Sequence, residues 1–75
     1  MQTISIGPWR FEWTPGCRLA DVHHEAKDHA LDCIQVGEYD WQAGKALGTR
    51  EDFEEACREW LDEYGEDYTN ELQYL

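Results

Sequence analysis

Three cysteines and three histidines, Cys17, Cys33, Cys57, His23, His24 and His29, supply ligand types that a Zn²⁺ ion would take. Their spacing argues against such a site. No two cysteines stand two to four residues apart, and adjacent His23 and His24 point to opposite faces of a strand. Cys57 also falls within an apolar stripe of helical spacing. His23-His24-Glu25, with Asp21 and Asp28, gathers acid–base types into one short stretch. A polar hairpin end accounts for them. There is no Gly-rich phosphate loop, no nucleophile motif and no pair with separable acid and base roles. The expectation is a protein that is not an enzyme and has no cofactor and no metal. An odd number of cysteines, in a chain without a secretion-like apolar segment, fits reduced thiols and a cytoplasmic location.

The carboxylates are the more telling set. The chain has 75 residues, with 17 acidic against 6 basic side chains and a net charge of −11. Residues 1–48 hold seven acids and four bases, a net of −3, whereas residues 49–75 hold ten acids and two bases, a net of −8. Glu51, Glu54, Glu55, Glu59, Asp62 and Glu63 lie off the apolar stripe of a helix, and Glu66 and Asp67 follow just past its expected end. Glu51–Glu55, Glu55–Glu59 and Glu59–Glu63 are like-charge i,i+4 pairs, each unfavourable by about 0.2–0.5 kcal/mol. Asp62, Glu63, Glu66 and Asp67 also fall where the helix dipole favours cations. Arg58, within reach of Glu54 and Asp62, is the one base expected to offset them. Solubility alone does not require carboxylates at a helix C-terminus, so the pattern points to a positively charged partner.

Carboxylates four residues apart on a helix are separated by about 6 Å along its axis. Duplex nucleic acid carries one charge per roughly 3.4 Å per strand. A row such as Glu51, Glu55, Glu59, Asp62 and Glu66 could thus enter a Lys/Arg-lined groove made for nucleic acid. A single compact, strongly acidic domain of this kind resembles the small phage-encoded inhibitors of host defence: anti-CRISPR proteins, anti-restriction proteins and DNA-mimic inhibitors of DNA-repair enzymes. The resemblance is one of type over the whole chain and rests on no motif, so no functional residue is carried over from it. It implies a non-enzymatic inhibitor in the host cytoplasm that blocks the DNA-binding surface of a CRISPR–Cas complex or another basic nucleic-acid-handling protein. Direct binding to nucleic acid or to an anionic membrane is opposed by like charge. The alternative is an interaction or homodimeric assembly module working through exposed aromatics, with Trp9 and Trp41 as candidate anchors.

These side chains need a scaffold, and the chain has material for one. Four Trp, four Tyr and two Phe make 13% of the residues, too rich for a disordered acidic segment. No apolar run exceeds three residues, which leaves no membrane span. Residues 2–13 alternate apolar and polar side chains on both sides of a Gly7-Pro8 break, where the proline marks an edge, bulge or bend. Thr14-Pro15-Gly16-Cys17 reads as a tight turn. The stretch after it fits a strand over 18–25 or a helical stripe of Leu19, Val22, Ala26, Ala30 and Cys33, and the Pro-Gly turn favours the strand. A third strand is expected over 31–41, with Gly37 as a bulge, then a loop over 42–48. Thr49 and Asp52 resemble a capping box. Phe53, Ala56, Cys57, Trp60, Leu61 and Tyr64 then give a helix over 50–64, with Gly65 as its stop. Tyr68, Leu72 and Leu75 suggest a short helix or packed tail over 66–75. The expected fold is α+β, a small antiparallel sheet of about three strands against a C-terminal amphipathic helix.

Overall fold

The computed structural model describes residues 1–68, and the Leu72 and Leu75 positions of the expected tail lie outside them. The fold is α+β, organised around the strand with the most aromatic inward face. In β2 (Trp9–Trp13), Trp9, Phe11 and Trp13 are buried, and Arg10 and Glu12 face away. It pairs on one side with β1 (Gln2–Ile6) and on the other with β3 (Leu19–His24), which in turn pairs with β4 (Asp32–Gln35). All three pairings are antiparallel, so the sheet has four strands, not about three.

The additional strand comes from residues 2–13, which form a hairpin and not one strand. Ile6 pairs with Trp9, leaving Gly7 and Pro8 as a two-residue connection. Gly7 takes a φ of 57°, the value that the first central position of a type II′ turn requires, and proline holds the second at negative φ. Thr14-Pro15-Gly16-Cys17 makes the expected turn, closed by the Cys17 N–H donating to the Thr14 carbonyl at 2.9 Å. Residues 19–24 after it are a strand.

The expected third strand is also divided. It stops at Gln35, and residues 39–46 form a separate small hairpin of β5 (Tyr39–Asp40) and β6 (Lys45–Ala46) where a loop was expected. Gly37 is the break between them, not a bulge within a ladder. A Cβ there would lie 2.7 Å from the Gly48 Cα and 2.8 Å from an Asp52 carboxylate oxygen, and one on Gly48 would collide with the Val36 carbonyl. Two facing glycines thus let the end of the sheet meet the start of the helix.

Helix α1 (Arg50–Trp60) begins at the expected capping box. The Thr49 side chain accepts from the Asp52 backbone N–H, and the Asp52 carboxylate accepts from the Thr49 N–H at 2.8 Å. Phe53, Cys57 and Trp60 are buried against the sheet, joining Trp9, Phe11, Trp13, Ala20, Val22 and Val36 in the core. Full burial of a side chain such as Phe11 or Phe53 contributes about 1.5–3 kcal/mol. A polar clip adds direction: the Trp60 indole N–H donates to the Asp32 carboxylate on β4 at 3.0 Å. Gly65 does not stop the helix. A wide π turn spans Leu61–Gly65, and residues 66–68 remain helical. In an unbroken α-helix residue 68 would stand about 80° round from residue 60. The extra residue in the wide turn rotates it back, and Tyr68 stacks on Trp60 at 5.4 Å and meets Trp9 edge-on at 6.1 Å. Ring contacts thus hold the helical run past the glycine. No helix among the described residues is long and apolar enough to cross a membrane.

Candidate functional site

Because Phe53, Cys57 and Trp60 commit one side of the helix to the sheet, its other side is turned to water. Glu51, Glu54, Glu55, Glu59, Asp62, Glu63, Glu66 and Asp67 are all exposed. Five of them, Glu51, Glu54, Glu55, Glu59 and Asp62, line one shallow concavity together with Arg58. Glu63 lies on the flank toward β4, beside Glu59, Ile34 and Gln35. Glu66 and Asp67 follow the wide turn and are not part of the concavity's lining. From Glu51 to Glu59 the ridge runs about 12 Å, the length over which one strand of a duplex presents three to four phosphates.

Two expectations about its electrostatics need correction. Arg58 makes no ion pair among the described residues, and the base that does engage the ridge is Arg50, 3.5 Å from Glu54. Arg50 also donates to the Gln2 side chain at 3.1 Å, which ties the helix start to β1. The helix dipole, moreover, is not terminated at residue 64, since helical geometry continues to residue 68. Asp62 and Glu63 therefore do not oppose a helix end, and the unfavourable local term that remains is repulsion between successive glutamates. Seven of the eight carboxylates have no ion pair among the described residues. Held on a helix, they form a fixed polyanionic surface that can attract a cation-rich partner without first ordering a flexible segment.

No protein-family model, curated protein or solved structure matches the chain. Its functional reading therefore rests on its own geometry.

The two aromatic anchor candidates separate cleanly. Trp9 is 5% exposed, a core residue packed against His24 and Trp60, and is withdrawn from the anchor set because its surface is already used. Trp41 is 75% exposed. It sits in the β5–β6 hairpin, edge-on to Tyr39 at 4.6 Å, with the Arg18 guanidinium 5.3 Å from its ring centre and 5.6 Å from that of Tyr39. The Asp40 carboxylate accepts from the backbone N–H groups of Gln42 and Ala43, fixing the hairpin tip. Sequence spacing gave no hint of Arg18, which comes to these rings from the β2–β3 turn.

The cysteines and histidines are dispersed. No three His, Cys, Asp or Glu groups converge on a common centre among the described residues. His23 faces Glu12 at 3.9 Å on the outer side of the sheet, His24 packs on Trp9, and His29 sits 3.3 Å from Asp28 in a loop. Cys17 and Cys33 are exposed. Cys57 is buried, and desolvation pushes its thiol up to about 12, so it stays protonated and unreactive at neutral pH.

Proposed function

We propose that this chain is a non-enzymatic inhibitor whose acidic helix mimics nucleic acid and occupies a basic DNA-binding surface, in the manner of an anti-CRISPR protein. The observation that carries the reading is the shared concavity of Glu51, Glu54, Glu55, Glu59 and Asp62, with Arg58 the one base in its lining. Carboxylates kept merely for solubility need not share a surface. A rigid row of them raises the encounter rate with a basic groove and supplies charge at roughly phosphate density. The test is capture of partners from a host lysate at low and moderate salt, with the captured protein then assayed for DNA binding. The triple variant Glu55→Lys, Glu59→Lys, Asp62→Lys should keep its helical circular dichroism and lose capture. Undiminished capture by that variant, or capture indifferent to salt, would reject the proposal.

A second reading has its own observation. Trp41 is highly exposed on a fixed hairpin tip and flanked by Arg18 and Tyr39, the residue types enriched at interface hot spots. An assembly module of that kind would be a dimer by light scattering, and Trp41→Ala would make it monomeric while the helix carboxylates could be changed freely.

A further inference from the structure

The first strand of the sheet is an open edge. In the β1–β2 pairing, Gln2, Ile4 and Ile6 sit opposite Trp13, Phe11 and Trp9, with Ile6 and Trp9 closing the two-residue turn as a hydrogen-bonded pair. Alternation then turns the backbone N–H and C=O groups of Thr3 and Ser5 away from β2. These four groups have no partner among the described residues.

Edge strands are commonly protected by charge, proline or a bulge. Gln2–Ile6 has none of these. Residues 1–9 carry no charged side chain, the longest such run in a chain with 23 charged residues. Along this edge, on the helix side, Ile4 and Ile6 line a groove with Glu54 and Arg58. Glu54 and Arg58 also line the acidic concavity, so the open edge and the ridge form one continuous surface.

We infer that β1 receives an extended basic segment of the partner as a fifth strand. The inference rests on the nucleic-acid-mimic reading for the partner's charge, and it specifies how that partner is held. Thr3 and Ser5 would supply the main-chain hydrogen bonds of strand addition. Lysine or arginine side chains on the helix-facing side of the added strand would lay their aliphatic stems over Ile4 and Ile6 and reach the carboxylates of the ridge with their charged ends. Small polar or β-branched residues suit the opposite side, beside Thr3 and Ser5. A second copy of this chain fits less well, because pairing at β1 would bring two acidic helices together.

The probe is a blocked heptapeptide, acetyl-Lys-Thr-Lys-Thr-Lys-Thr-Lys-amide, with an N-methylated version of the same charge as control. Amide hydrogen exchange by NMR at low salt should slow at least about tenfold at Thr3 and Ser5 on saturation with the unmethylated peptide. The amides of Ile4 and Ile6, already bonded to β2, should change little. The methylated peptide should bind more weakly and leave Thr3 and Ser5 unprotected. Ser5→Pro, which removes one outward N–H, should weaken the unmethylated peptide roughly 3- to 10-fold. Thr3→Pro serves the same purpose if Ser5→Pro loses the native circular dichroism, and the methylated control carries the test if both do. Equal binding of the two peptides, with shifts confined to the ridge, would overturn strand addition and leave the polyanion reading standing. No binding of either would overturn both. Concentration-dependent protection of Thr3 and Ser5 without peptide would assign the edge to a second copy and overturn the inference.

Discussion

The outer face of the sheet and the outer face of the helix handle charge in opposite ways. On the sheet, Arg10 sits 2.8 Å from Glu12, and His23 on the neighbouring strand faces the same carboxylate. Signs alternate, and the glutamate has partners. On the helix, Glu55 and Glu59 follow Glu51 at i,i+4 spacing, and the Arg50–Glu54 contact near the start is the one ion pair made by the ridge among the described residues. The same chain therefore has a paired polar surface and an unpaired one. Water would solvate either, so the unpaired arrangement calls for a reason other than solubility.

If the helix is held by its inward side, the largest effect should come from removing that side. Phe53→Ala or Trp60→Ala should cost about 3–5 kcal/mol in urea unfolding, enough to leave so small a domain largely unfolded. Next in size is the buried thiol. Its folded pKa of about 12 lies above the usual thiol value of 9.0, so the unfolded chain releases its proton first as the pH rises. The stabilisation is complete below pH 9 and should decline by up to about 1.4 kcal/mol per pH unit from there toward pH 12. Cys57→Ala should lack this slope. In native protein at pH 8, a thiol reagent should titrate Cys17 and Cys33 and spare Cys57.

The outward faces should respond more weakly and with opposite signs. Glu55→Lys turns two repulsive i,i+4 pairs into attractive ones and should raise stability by about 1 kcal/mol at low salt while weakening capture of a basic partner. Glu12→Gln on the sheet should lower stability by about 0.2–1 kcal/mol. Added salt should stabilise the wild type, and Glu55→Lys should reduce that gain. A destabilised Glu55→Lys protein would remove the contrast between the two faces.

The helix was legible because its signals are local: a capping pair at Thr49 and Asp52, then apolar residues at helical spacing. The β2–β3 hairpin was legible for the same reason, through Thr14-Pro15-Gly16. The first hairpin was missed although the chain marks it. Apolar positions run Ile4, Ile6 and then Trp9, Phe11, Trp13, changing from even to odd across Gly7-Pro8, as a two-residue turn requires and a continuous strand does not allow. The wide turn at Leu61–Gly65 was hidden because it depends on Tyr68 finding Trp60 and Trp9, contacts that local spacing does not encode. The ridge carboxylates were readable from periodicity, which puts whatever is not core on the outside. Arg18 beside Trp41, and the pairing of Glu54 with Arg50 in preference to Arg58, depend on tertiary placement and were not.

The wide turn also makes the helical run sensitive to length. Upstream of it, side-chain directions are fixed by Phe53, Cys57 and Trp60 against the sheet; downstream they are indexed to the ring of Tyr68. Deleting one residue between Leu61 and Gly65 could restore plain α geometry with little change in composition, yet would swing everything beyond by about 100°. Glu66 and Asp67 would then point into a different quadrant from the one they now occupy. In this segment an insertion or deletion alters the direction of the negative field more than the loss of any single carboxylate.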